Sequence, residues 1–400
     1  MMFVLLLSAW LLTDGIATYG VWHYRRGLAV PPTPADSAPK AVILVAIKGI
    51  SETTPQFLDA LSRQHYPNYR LVFALESRSD PAWPLIDGLL RRLTGALVVE
   101  VVIAGEATER AQKVHNLLAA ARTLREDDSV VVFADADILP DERWLSQLVR
   151  PIAAGEVAAS SGYRWQLPAD GRWPSLIVAA IDLSIATAAR SWRWNLCWGG
   201  SVAVDRQALD RVDLPGVWDR AASDDLTLTA ALRARGLKIN APLRVLVPSP
   251  ETQDWTGLLR FTRRQYLLVR AYAPKHWLVA GWTACVPALA AALAVAETVL
   301  GQRWAWPFIL GSIALLQIRL HIRLQIAVLV LPRAAVAAAR TTILFAQCAW
   351  PLIHLVHLGA FLSSVAGRRF MWAGIEYRLD GETASIEGRR GDARGSPREL

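Results

Sequence analysis

Cysteine is scarce in this sequence. Cys197, Cys285 and Cys348 are the only three among 400 residues, and no two of them stand at disulfide-framework, metal-ligand or redox spacing. That excludes a disulfide scaffold and a cysteine-based zinc or iron–sulfur site. Lysine is nearly as rare, five against a total of 43 basic residues, so the basic character rests on arginine. Of the seven histidines, only His354 and His357 fall at helical spacing. They have no Cys or carboxylate close by in sequence and read as packed polar residues rather than metal ligands. The formal charge is +8. Much of that excess sits beside apolar runs, as in His23-Tyr24-Arg25-Arg26, Arg319 to Arg323 and Arg368-Arg369, which favours attraction to anionic lipid headgroups and no nucleic-acid partner.

Hydrophobic residues are 53% of the chain, with 17 Trp, yet 20% of it is charged. A part-soluble, part-membrane protein follows. Residues 1–26 predict a transmembrane anchor, because 2–22 are long enough to cross a hydrocarbon core and basic residues come only after them. The N-terminus is then expected outside, and the missing basic start argues against a cleaved signal peptide. Asp14 is costly inside a span and should face another helix or a polar cavity. Residues 27–39 read as a Pro-rich linker. Residues 276–366 hold three apolar stretches, 277–300, 304–317 and 341–365, the middle one short. If all three cross, the tail lies on the side opposite the globular region, so one is expected to be re-entrant or interfacial. The tail, 367–400, is polar and is expected to be disordered from residue 381.

Residues 40–275 alternate short Val/Ile-rich runs (41–47, 70–76, 97–104, 129–137) with helical stretches, which predicts an α/β domain on a mostly parallel sheet. Asp135-Ala136-Asp137 closes the fourth run, where open α/β sheets bind ligands. Strand alternation would put both carboxylates on one face, able to hold a hard divalent cation against a diphosphate. The same residues could simply cap the next helix. Asp224-Asp225 precede another helix, where acidic residues are favoured in any case. Gly199-Gly200-Ser201 lead into a Val-Ala-Val strand and allow close approach of backbone, or just a turn. Lys48 and Lys113 suit a phosphate or a solvated surface equally. The basic run Arg260-Phe261-Thr262-Arg263-Arg264-Gln265 fits diphosphate binding or an amphipathic helix on headgroups. The apolar stretch 175–189, flanked by Trp173, Trp192 and Trp194, reads either as an in-plane membrane segment or as a buried core helix.

Taken in order, AIKGISETTPQFLDALSRQHYPNYRLVFALESRSDPA, Lys113-Val114-His115-Asn116-Leu117, the Asp-x-Asp, Trp198-Gly199-Gly200-Ser201 and Ser223-Asp224-Asp225 resemble the ceramide glucosyltransferase and hopanoid glycosyltransferase branch of glycosyltransferase family 2. The resemblance covers roughly residues 40–275. It implies a GT-A (nucleotide-diphospho-sugar transferase) fold carried on N- and C-terminal transmembrane helices, and an inverting reaction with Mg2+ or Mn2+. It places Lys48, Gly49, Glu76, Asp80, Lys113 and Asp135 at the UDP-sugar, and Asp137 and Asp135 at the metal. Asp225 becomes the general base beside Asp224, and Gly200, Ser201, Arg260, Arg263, Arg264 and Gln265 fall at the acceptor or diphosphate. Two departures stand out: Ser77 replaces the first of the family's paired aspartates, and no Trp follows the arginine run. The expected activity is transfer of a hexose or N-acetylhexosamine from a UDP-sugar to a membrane lipid hydroxyl, at the cytosolic face of a bacterial inner membrane. The alternatives are a processive polysaccharide synthase and an inactive membrane scaffold.

Overall fold

The computed structural model describes residues 2–35, 37–93 and 97–389. Its elements in chain order begin with α1 (Met2–Gly27), β1 (Ala41–Ile47), α2 (Thr54–Ser62), β2 (Tyr69–Leu75), α3 (Trp83–Arg92), β3 (Val98–Ile103), α4 (Gln112–Ala121), β4 (Val130–Ala134) and α5 (Trp144–Ala153). There follow β5 (Ala159–Ser161), β6 (Tyr163–Pro168), α6 (Trp173–Ala186), β7 (Ser201–Asp205), α7 (Arg206–Asp210), α8 (Leu214–Val217), α9 (Asp224–Ala234), β8 (Ile239–Asn240), β9 (Leu246–Glu251) and α10 (Trp255–Tyr272). The chain ends with α11 (Pro274–Val299), α12 (Trp306–Val330), α13 (Arg333–Val365), β10 (Arg369–Trp372), β11 (Ile375–Asp380) and β12 (Thr383–Arg389).

Two compact units result. One takes the described parts of residues 32–164, 190–250 and 368–389, and the other those of 2–31, 165–189 and 251–367. Within residues 40–275, α6 and α10 group with the helical unit.

The first unit is built on a seven-stranded sheet in the order β3-β2-β1-β4-β7-β5-β8. Only β7 opposes the rest: it pairs antiparallel with β4 and β5, and the other ladders are parallel. The sheet is the mixed, mostly parallel α/β arrangement expected of the GT-A class. β1 and β4 are buried on both faces, which is why their sequences are almost unbroken Val, Ile, Leu, Ala and Phe. After β3 the chain returns to the other side of β1 to make β4, so a topological switch lies between β1 and β4. Ligands of open sheets lodge beyond the carboxyl ends of the strands there. At the opposite end of β2, Arg70 is buried with Asp128 in a two-point ion pair at 3.0 and 2.5 Å, a fork that ties β2 to the segment entering β4.

The same unit holds a small antiparallel sheet of β10, β11 and β12. Tyr377 is fully buried and its hydroxyl accepts from the Gln112 amide at 3.2 Å, while the Ala384 amide donates to Arg220 O at 2.6 Å. The expected disorder fails over residues 381–389. Alternating Ile375, Tyr377 and Leu379 supply a buried face that the polar composition conceals. Residues 390–400 lie outside the described residues.

In the helical unit, α1, α11, α12 and α13 are each long and apolar enough to cross a membrane. α12 runs well past the stretch 304–317 expected for it, because Arg319 and Arg323 are buried instead of lying at headgroups. Arg319 pairs with Asp14 at 2.9 Å, and the Ser312 hydroxyl donates to the other Asp14 oxygen at 2.5 Å. Arg323 donates to Thr187 Oγ1 at 3.0 Å. The expectation that Asp14 faces another helix is met by Arg319 and Ser312. α6 packs its apolar face on α10 and α13 through Ile177, Val178, Leu258 and Phe345, and Trp173 stays exposed.

Candidate active site

Three elements deliver charge to the carboxyl ends of β1, β2 and β4. β4 stops at Ala134, so Asp135 and Asp137 sit in the turn beyond it and not on alternating strand positions as the sequence implied. α4 projects Lys113, whose ammonium lies 2.6 Å from Asp135 and 3.1 Å from Asp224. α9 begins at Asp224 because Ser223 caps it, its side chain accepting from the Leu226 amide at 3.3 Å.

The charges hold one another in place. Burial pulls the Lys113 ammonium down, but Asp135, Asp224 and Asp225 together outweigh it and leave its pKa above the usual lysine value. Burial pushes Asp224 up to about 6, with Lys113 opposing and Asp225 adding. Asp137 also rises to about 6, through burial and then Asp135, against the pull of Arg164 and Lys113. Asp225 is gripped at both oxygens. One accepts from the Gly199 amide at 3.0 Å, the other from the Leu226 amide at 2.7 Å and the Ser223 hydroxyl at 2.5 Å.

The two glycines are needed for a reason the sequence does not state. A Cβ at Gly199 would run into the Asp224 carboxylate and the Lys113 ammonium, and one at Gly200 into the Trp198 ring. Trp198 is itself held by its amide on Ser161 Oγ at 2.9 Å and by Tyr163, with ring centroids 5.4 Å apart. Ser201 is fully buried, and its hydroxyl accepts from the Trp144 indole at 2.8 Å.

A second cluster stands at the ends of β1 and β2. Lys48 bonds Glu76 at 2.7 Å, and both Asp80 oxygens accept from the Gly49 amide at 3.0 Å. Gly49 has φ +76°, a left-handed turn that a side chain would strain. Asp80 also receives the Ala82 amide at 2.9 Å, which starts α3. Sequence reading missed Gln112 and Arg389, which join this cluster, although the polar pair Gln112 and Asn116 on an otherwise apolar helix face was a visible signal.

Arg260, Arg263, Arg264 and Gln265 lie on α10, in the helical unit. Arg263 Nε donates to Ser363 O at 3.3 Å, and Arg264 lies over the Phe261 ring at 5.6 Å.

Asp137 Oδ1 is buried and has no hydrogen-bond partner, which is the condition of an oxygen waiting for a cation. Among the described residues no three His, Cys, Asp or Glu side chains converge. A divalent ion held by Asp135 and Asp137 would need further oxygen ligands from outside the protein, a donor set that suits Mg2+ or Mn2+.

The model of Glycosyl transferase family 21 matches residues 5–385. The chain belongs to this family. The match makes the chain a glycosyltransferase of this family. No curated protein matches the family 21 chain. Among solved structures it is similar to the mannosyltransferase PcManGT from Pyrobaculum calidifontis in complex with GDP-Man and Mn2+, at 21% identity over 90% of this chain and 99% of that one, TM-score 0.48. It is also similar to glucosyl-3-phosphoglycerate synthase from Mycobacterium tuberculosis in complex with Mn2+, UDP and glucosyl-3-phosphoglycerate, at 13% identity over 59% and 80%, TM-score 0.40. A third is S. aureus TarS 1-349, at 12% identity over 88% and 100%, TM-score 0.38.

Proposed function

We propose that this family 21 chain is an inverting enzyme that moves a hexose or N-acetylhexosamine from a UDP-sugar onto the hydroxyl of a membrane lipid, ceramide-like or hopanoid-like. The observation that carries the reading is the meeting of Lys113, Asp135 and Asp224 behind a glycine that leaves them room, at the switch point of the sheet.

Each residue then has work of its own. Asp135 and Asp137 would hold Mg2+ or Mn2+, which when bound supplies charge to the departing diphosphate. Lys113 bridges Asp135 and Asp224 and fixes their directions. Lys48, Gly49, Glu76 and Asp80 form the nucleoside end of the donor site, with a carboxylate available to accept from a ring N–H or a ribose hydroxyl. Asp225 is the general base. Displacement with inversion needs one carboxylate to take the acceptor proton from the face opposite the leaving group, and its three hydrogen bonds hold Asp225 in a single orientation for that.

The lipid acceptor is supported by the membrane-length helices. The described tail folds with the sheet unit, and a chain that leaves a folded unit and rejoins it crosses a bilayer an even number of times in between. At most two of α11, α12 and α13 therefore span. α11 and α12 pack on α1, through Leu7 and Trp10 against Ala290 and Ala294 and through Asp14 on Arg319, and α13 packs on α11 and α12 as well as on α6 and α10. The sheet unit faces the cytosol of a bacterium. Purified protein incubated with UDP-sugars and a total lipid extract should give one lipid mass shifted by a sugar, lost with chelator and restored by Mg2+ or Mn2+. Equal product after complete removal of divalent ions would overturn the reading.

A further inference from the structure

The C-terminal sheet ends on Arg389, and that side chain reaches into the nucleoside end of the site. Its guanidinium donates to Glu76 at 3.3 Å, to Ala107 O at 2.8 Å and to Gln112 Oε1 at 3.0 Å. Glu76 thus sits between two cations, Lys48 on one oxygen at 2.7 Å and Arg389 on the other. Gln112 is wholly buried and all its side-chain capacity is used. Its carbonyl also accepts from the Ala107 amide at 2.9 Å, and its amide donates to Gly105 O at 2.9 Å and Asn116 Oδ1 at 2.8 Å. Asn116 in turn donates to Ala74 O, one residue from the end of β2. The loop 104–111 and the end of β2 are therefore tied through Gln112 to the last strand of the chain.

We propose that Arg389 is a positioning residue that sets nucleobase selectivity by fixing the Glu76 carboxylate. The proposal rests on Glu76 belonging to the donor site. A carboxylate held immobile between two cations accepts from a ring N–H, which uracil offers at N3 and cytosine does not, since its N3 is itself an acceptor. Freed from Arg389, Glu76 turns toward Lys48 and the discrimination falls. The residue lies more than 300 positions from Glu76 along the chain, so the tail becomes a part of the catalytic unit and not an appendage.

The test uses the full chain in detergent, with UDP and CDP binding measured by calorimetry. Arg389→Ala should weaken UDP binding about tenfold, the scale of one charged hydrogen bond, while CDP binding changes less than twofold. Arg389→Lys should recover part of the UDP affinity. In a Glu76→Gln background, Arg389→Ala should have almost no further effect, which a loss of folding would not reproduce. An unchanged UDP-to-CDP ratio in Arg389→Ala, or fully additive losses in the double variant, overturns the proposal. If Glu76→Gln itself leaves UDP binding intact, the donor reading of that cluster falls too, whereas a loss in Glu76→Gln with none in Arg389→Ala overturns only the role of Arg389.

Discussion

Lys113 Nζ lies 3.1 Å from Asp224 Oδ1, across the gap between α4 and the start of α9, and 2.6 Å from Asp135. One half-buried cation therefore holds an acid from the strand-end turn and an acid from a distant helix. Removing it leaves Asp224 buried without a partner, so the carboxylate takes a proton instead. Lys113→Met should cost about 3 kcal/mol of stability and lower turnover by roughly 100-fold. Denaturant melts and initial rates at saturating donor check both, and a variant with full turnover would remove Lys113 from the site.

Gly199 makes room for that pair. The added methyl of Gly199→Ala would displace the Asp224 carboxylate and the Lys113 ammonium. Overpacking of this kind costs about 1–3 kcal/mol. Turnover should drop more than tenfold even where the fold survives. Gly88→Ala, in α3 with nothing within 4 Å, is the control and should stabilise by about 0.5–1 kcal/mol with activity unchanged.

Asp14 and Arg319 form the corresponding pair in the helical unit. Arg319→Leu alone strands a carboxylate among apolar helices and should cost about 3–5 kcal/mol, as should Asp14→Leu. The double variant should melt above either single one, because a buried pair replaced whole by apolar side chains leaves no charge behind. Thermal melts in detergent decide it; equal or additive losses in the double variant would show that the two side chains do not act as a pair.

Topology is open to a direct check. With the tail folded onto the sheet unit, a cysteine placed at Glu382 in a Cys348→Ser background should react with an impermeant maleimide only from the side that also reaches a cysteine at Ser37. Labelling of the two positions from opposite faces would mean that all three C-terminal helices cross.

Much of the sheet was legible because buried parallel strands write themselves as unbroken apolar runs, as β1 and β4 do. Ser223-Asp224-Asp225 announced a helix start by cap chemistry, and α9 begins there. Local patterns carried no further. That β4 ends at Ala134, and not three residues later, depends on its pairing with β7 and left Asp135 and Asp137 in a turn. Arg319 to Arg323 looked like a membrane boundary because the partners that bury them, Asp14 and Thr187, are far away in sequence. Ser201 fitted a motif, yet Trp144 claims its hydroxyl. The tail read as disordered since its partners, the buried Gln112 and the backbone of Arg220, belong to other parts of the chain, and the same distance hid Arg389.

The most direct test is Asp225→Asn, measured for sugar transfer to lipid and, separately, for UDP binding. The side chain keeps its size and can still accept from Gly199 but cannot take a proton. Transfer should fall by at least about 1,000-fold while UDP affinity stays within about twofold. Turnover equal to the unmodified protein would contradict the account, because some other group would then be removing the acceptor proton.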